Sequence, residues 1–168
     1  MNTPPYILVD EMETVVAAVK TALALPVLNY QYGYVTELNE TLNEYSKTAA
    51  FKALKFPLVW LAQPFTVKRD SIEYFGRATV DVFIFNRTDK ILKAADRMAN
   101  NFKPTIYPIY RELIEQISRH AAFDNQDDSA IRHETTDRYY WDGINPTITD
   151  IVDWMYIKGL EINIRNKC

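Results

Sequence analysis

The sequence predicts an α+β domain built on a largely antiparallel sheet with helices on one face. Three observations lead there. Apolar residues recur at spacings of three and four near the N-terminus and again over residues 90–121, the period of a helix. Other stretches are rich in β-branched and aromatic residues and alternate with period two, as strands do. These stretches cluster between the helical ones instead of alternating with them, which argues against a parallel βαβ sheet. The 168 residues fit one domain, 1–168, large enough to bury a core without a disulfide or metal staple.

Residues 1–6 read as an extended arm, because Pro4-Pro5 cannot sit inside a helix. The first helix starts at Ile7, with Leu8, Met12, Val15, Val16, Val19 and Leu23 on one stripe, and Pro26 stops it. Residues 27–35 form a strand that places Leu28, Tyr30, Tyr32 and Tyr34 on one face. Residues 36–54 are partly helical in spacing and read as a long excursion, of the kind that carries function. Residues 56–62, a short apolar run with Pro57 at its start, predict a buried strand. Residues 63–74 read as a polar connection. The strand over 75–86 is apolar on both faces near its end, so it is central.

Thr88 or Asp89 is placed to cap a helix whose stripe is Ile91, Leu92, Ala95, Met98, Ala99 and Phe102. Pro104 and Pro108 split it from a second helix over 108–121, giving a kinked or two-part helix. Residues 123–129 read as a polar loop. Strands over 131–141 and 154–164 close the chain, with Asp142-Gly143 as a turn signal and Gly159 as a mark of a bulge or close approach. Strict alternation in the last strand puts Trp154, Tyr156, Lys158, Leu160, Ile162 and Ile164 on one side.

Chemistry is scarce in this sequence. Four isolated Gly residues allow neither a phosphate loop nor a dinucleotide fingerprint. The only histidines are His120, read as a helix-end residue, and His133, read as a surface partner of Glu134. Asp124, Asp127 and Asp128 lack the Gly and Glu of a calcium loop. Asp137, Asp142, Asp150 and Asp153 are dispersed, and two of them converging on a metal would make a nuclease or hydrolase. The single Cys168 is terminal, which suits a reducing compartment and not a nucleophile. No signal peptide or spanning segment is visible. The formal charge of −3 and scattered Lys and Arg disfavour sequence-specific DNA binding. The expectation is therefore no catalytic residue, no metal and no cofactor.

Eleven Tyr and three Trp suit protein–protein surfaces, although many could half-bury on a sheet. The connection over 63–74 is either a hairpin reaching a neighbour or an ordinary solvated one. Its contact candidates are Phe65, Lys68, Arg69 and Tyr74. Tyr139, Tyr140 and Trp141 join them as residues favoured at interfaces. Trp154 reads rather as core.

The order of elements then resembles the tail-terminator and head–tail joining (neck) ring proteins of long-tailed phages, over about residues 7–165. The resemblance is carried by the opening helix and the strand Leu28-Asn29-Tyr30-Gln31-Tyr32. Further on it is carried by the strand Phe56-Pro57-Leu58-Val59-Trp60-Leu61 and the run from Arg77 to Phe85 with the helix at Lys90-Ile91-Leu92 behind it. It ends on Leu160-Glu161-Ile162-Asn163-Ile164. Poverty in Gly with richness in Asn and Tyr is similar to proteins of crAss-like phages. The resemblance implies a tail-terminator-like fold, a curved sheet flanked by helices, and a structural virion protein assembled in the host cytoplasm. It implies a homo-oligomeric ring of six or twelve copies, axial contacts to neck or tail-tube proteins, and genomic DNA passing through without sequence-specific binding. It implies no membrane. Alternatives left open are a metal-dependent nuclease or hydrolase and a soluble ligand-binding α+β module.

Overall fold

In the computed structural model, which describes residues 6–69, 75–124, 131–140 and 150–165, helix α1 (Leu8–Ala22) leads into strand β1 (Asn29–Tyr34). A 3-10 turn (Val35–Glu37) and helices α2 (Leu38–Tyr45) and α3 (Ala49–Ala53) follow. Strands β2 (Leu58–Arg69) and β3 (Phe75–Arg87) precede α4 (Ala94–Arg97), a π-helical segment (Met98–Ile106) and α5 (Tyr107–Arg119). Strands β4 (Glu134–Tyr140) and β5 (Val152–Arg165) end the described chain. The arm over 1–5 and the Asp142-Gly143 turn lie outside the described residues. Among the described residues no helix is long and apolar enough to cross a membrane.

The sheet is mixed, in the order β1-β2-β3-β5-β4. Only β1 and β2 run parallel, and the other pairs are antiparallel, so the α+β expectation of a largely antiparallel sheet holds. As its two-sided apolar pattern predicts, β3 is central. Ala78, Val80, Val82 and Ile84 bury on one face, where α1 and α5 lie. The stripe of α1 from Leu8 to Val19 and that of α5, Ile109, Leu113 and Ile117, meet there. A second, smaller cluster forms on the other face. There Leu38 and Leu42 of α2 cover Leu58, Trp60, Ala62, Phe85 and Val152. The excursion over 36–54 is therefore the lid of a second core, and helices cover both faces of the sheet, not one as expected.

Four further expectations need correction. The polar connection over 63–74 is mostly strand, since β2 runs on to Arg69 and pairs with β3 down to Arg69↔Gly76. Its alternation of half-buried and exposed residues belongs to a strand wetted on one face. Ile91 is not on a helix stripe; it is 76% exposed, and the helix starts only after Lys93. Asp89 instead accepts a bond from the Ile91 amide at 3.1 Å, a local turn that competes with helix formation. The stretch opening at Phe123 is not simply a polar loop. Phe123 is 2% exposed and bridges to Ile164.

The fourth concerns β5, where strict alternation fails at Gly159. This residue has φ +64°, in the left-handed region that glycine enters without penalty. The register moves from Val82↔Ile157 to Val80↔Leu160, so Lys158 and Gly159 together oppose Asp81. Beyond this bulge, Leu160, Ile162 and Ile164 join Met155 and Ile157 on the helix face, while Trp154 and Tyr156 stay on the other. Asp81 fixes the bulge: one carboxylate oxygen accepts from the Gly159 amide at 2.8 Å, the other from the Tyr156 hydroxyl at 2.8 Å. On the opposite side of β3, the register shifts between Ala62↔Asp81 and Thr66↔Thr79. Two irregularities thus flank β3 at one level, where bulges bend strands.

The two prolines do not split the helix, which runs on without a gap from Ala94 to Arg119. Pro104 has no amide to donate and crowds the carbonyl four residues back. The helix widens instead of breaking, and the Tyr107 amide reaches back five residues to the Phe102 carbonyl. This places Asn101, 4% exposed, over the end of the sheet. Its amide donates to the fully buried Asp153 at 2.9 Å and to the Arg87 carbonyl at 3.2 Å. Arg97 meets the other oxygen of Asp153 at 3.3 Å.

Candidate functional site

The two outer strands of the sheet are β1 and β4. Among the described residues no further strand pairs with either. An open strand edge presents amides and carbonyls ready to pair with another chain, and proteins usually guard it with Lys or Pro. Neither β1, Asn-Tyr-Gln-Tyr-Gly-Tyr, nor β4, Glu-Thr-Thr-Asp-Arg-Tyr-Tyr, contains either residue; β1 has no charged residue at all, whereas β4 carries Glu134, Asp137 and Arg138. The Tyr34 amide is taken by the Glu37 carboxylate at 2.9 Å, which closes the end of the β1 edge.

The β1 edge is flanked by exposed apolar surface. Tyr32 and Tyr34 are 50% and 51% exposed, and Phe51 and Leu54 of the excursion 55% and 47%. Hydrogen bonds hold this flank in place. The Tyr30 hydroxyl donates to the Val9 carbonyl at 3.0 Å, tying β1 to α1, and burial pushes that phenol well above its ordinary range. The Gln31 amide donates to the Tyr45 hydroxyl at 3.0 Å, and the Asn29 amide to the carbonyls of Leu54 and Lys55. Gly33 holds φ +153°, which residues with a side chain rarely adopt, and a Cβ there would also stand 3.2 Å from the Trp60 ring.

The contact residues expected from the sequence scatter. Phe65 is half-buried and packs against the helix-side core, so it is not a protruding anchor. Its position follows from β2 continuing past Pro64 with Val59, Leu61, Phe65 and Val67 on one face. Lys68 and Arg69 are exposed near the far end of the β2–β3 ladder. Tyr74 and Trp141 lie outside the described residues. Tyr139 and Tyr140 end the edge strand β4, opposite Asp153 and Val152. Sequence reasoning missed Tyr32, Tyr34, Phe51 and Leu54 as an exposed group. The one available signal was the Tyr run of the first strand beside a long excursion.

A second aromatic group lies on the sheet face opposite α1 and α5. Phe83 stacks on Tyr156 with centroids 4.6 Å apart and planes 4° apart, and Trp154 tilts against Phe83 at 5.4 Å. Burial first, then the hydrogen bond to Asp81 and its charge, push the Tyr156 phenol up to about 12.

The carboxylates are each engaged separately. Asp137 accepts from the Tyr107 hydroxyl at 2.6 Å, Asp150 pairs with Lys55, and Asp153 lies under Arg97 and Asn101. Asp142 lies outside the described residues. Among the described residues no three His, Cys, Asp or Glu side chains gather as a metal-holding group. His120 stands at the end of α5, 3.6 Å from Glu11 and beside the Phe123 ring. His133 faces Tyr110, not Glu134. Its Nδ1 meets the Ile131 carbonyl at 3.0 Å and so carries the proton, which leaves Nε2 to accept from the Tyr110 hydroxyl at 2.7 Å.

Compared with protein-family models and with curated proteins, the chain matches none.

Proposed function

We propose that the chain is a structural ring subunit of a phage neck or tail end, joined to its neighbours edge to edge. The observation that carries this is an open sheet whose two edge strands, β1 and β4, lie at opposite sides, with irregular pairing on both sides of β3. Following the pairings across the sheet, β1 and β4 run in opposite directions. Strand β4 of one copy set against β1 of the next makes an antiparallel ladder. A head-to-tail contact of this kind closes into a ring when its rotation divides a full turn. The exposed Tyr32 and Tyr34 would pack on one face of that ladder. On this reading six or twelve copies surround the DNA. A weakly acidic protein, formal charge −3, lets the duplex slide.

Native mass spectrometry and light scattering across a concentration series test it. A closed species of six or twelve copies is expected. Lysines at Thr135 and Thr136, both exposed on β4, or Tyr32→Glu on β1 should each return the chain to monomer without lowering its thermal midpoint. A wild-type chain that stays monomeric at its highest soluble concentration, or that stops at a symmetric dimer, refutes the proposal.

A further inference from the structure

A cleft of about 290 Å³ opens between α3, the end of β3 and the start of β5. Four cations line it, Lys52, Lys55, Arg87 and Lys90, against two carboxylates, Asp89 and Asp150, a net of +2 in a chain of formal charge −3. We propose that this cleft binds a phosphate group, through the buried Lys55 ammonium and Thr88 hydroxyl within and through Lys52, Arg87 and Lys90 around it.

The inner donors carry the argument. The Lys55 side chain is 2% exposed. An ammonium has three donors. The described residues take two of them, the Ser46 hydroxyl at 2.8 Å and the Asp150 carboxylate, and the Phe56 ring lies under the charge at 5.7 Å. One N–H of a buried cation is left. The Thr88 hydroxyl oxygen is buried as well and has no hydrogen-bond partner. A buried hydroxyl without a partner is costly, and native proteins rarely leave one. Both residues line the same cleft.

The cations around them are also uncommitted. No ion pair is formed by Lys52, Arg87 or Lys90 among the described residues. Asp89 is turned to its own backbone, accepting from Ile91, and Asp150 is neutralised by Lys55. The backbone beneath is fixed, since the Thr88 amide donates to the Ile151 carbonyl at 3.1 Å and joins the loop to the start of β5. An anion with several acceptor oxygens meets the inner donors and the outer charges together. A small carboxylate offers fewer acceptors, and a cation is repelled. The phosphate can belong to a small molecule or to a DNA backbone, and the cleft is complete within one copy, so the site does not depend on ring formation.

The test uses the full chain and two probes, inorganic phosphate and a short DNA duplex, followed by amide NMR shifts. Phosphate should shift the amides of Lys55, Thr88 and Lys90 in a saturable way. Thr88→Val should weaken it about fivefold, the effect of one lost hydrogen bond. The exposed pair Arg87→Ala with Lys90→Ala should weaken it about tenfold or more, whereas Arg111→Ala on the exposed side of α5 should change nothing. If the phosphate is that of DNA, the duplex shifts the same amides, and the double variant lowers the salt dependence of binding by about two charges. If it is that of a small molecule, inorganic phosphate shifts them and the duplex does not. Shifts that avoid the cleft for both probes, or binding that the Arg87 and Lys90 changes leave intact, overturn the proposal. Those surface changes do not threaten folding, so the result stands even if Thr88→Val destabilises the protein.

Discussion

Gly159 separates two properties that sequence edits usually confuse, the phase of a strand and its local strain. Leu160, Ile162 and Ile164 are all fully buried, and they reach the helix face only because the bulge adds one residue. Deleting Gly159 leaves Ile157, Lys158 and Leu160 in plain alternation opposite Val82, Asp81 and Val80. The core side chains keep their direction. What is lost is the bond from the Gly159 amide to Asp81, about 1.5–3 kcal/mol for a charged acceptor, partly offset by a regular ladder. Gly159→Ala keeps the bulge. Its Cβ meets nothing within 4 Å, so the cost is the left-handed backbone alone. That is roughly 1–2 kcal/mol, a fall of about 2–8 °C in thermal midpoint for a chain of this size. Inserting one Ala after Lys158 turns the last three aliphatics outward. At roughly 1.5–3 kcal/mol each, this approaches the entire stability of a typical domain, about 5–15 kcal/mol. Urea unfolding and an amide NMR spectrum of the three variants decide the matter. The deletion and the alanine should fold, and the insertion should not. An insertion tolerated as well as the deletion refutes the account of phase. On the ring reading, the deletion also straightens the sheet and should fail to close a ring while remaining folded.

Two other outcomes follow from the polar contacts. Lys55 is 2% exposed and its partner Asp150 24%, so the pair should respond unequally. Asp150→Ala strands a buried cation and should cost about 3–5 kcal/mol, whereas Lys55→Met leaves a carboxylate that water can reach and should cost less. Denaturant midpoints that fall equally would contradict this. The hydrogen bond to Asp137, then burial and the Asp137 charge, push the Tyr107 phenol up to about 12. Its folded value lies above its unfolded one, so its contribution is intact below pH 10 and fades as pH rises toward 12. Asp137→Asn should bring the Tyr107 titration, followed by ultraviolet absorbance, back toward 10 and shrink that loss. An unchanged titration would show that Asp137 is not its cause.

Period and composition carried the helix-side core. The stripe of α1, the two-sided strand β3 and the Ile109, Leu113, Ile117 row each face the way their spacing requires. The misreadings have physical causes. Lys68-Arg69 and Pro64 gave the second half of β2 the look of a loop, yet polar residues alternating with Phe65 and Val67 are what a strand wetted on one face requires. Ile91 and Leu92 fell by chance on the stripe of the helix that starts three residues later. Gly159 was legible as a bulge, but the consequence for Leu160 onward needed the register. The contacts of the two lysine–carboxylate and asparagine–carboxylate clusters join residues 95 and 52 positions apart, and no local period encodes such pairs.

The level at which the sheet bends links these observations. A straight ladder whose two edges face opposite ways adds copies without closing, which is a route to filaments. The strands β2 and β5 both depart from regular pairing beside Val80 and Asp81. The Asp81 carboxylate holds β5 there by bonds to a backbone amide and a phenol, at a bulge of the kind that gives a strand a local angle. If the chain works as a ring, the copy number is written in that angle together with the pitch of the β4-to-β1 contact. Asp81→Ala would then change the size or closure of the assembly before it changes the fold of the subunit, because both irregularities leave every core side chain on its proper face. A variant that loses its fold and its assembly together would place the angle elsewhere.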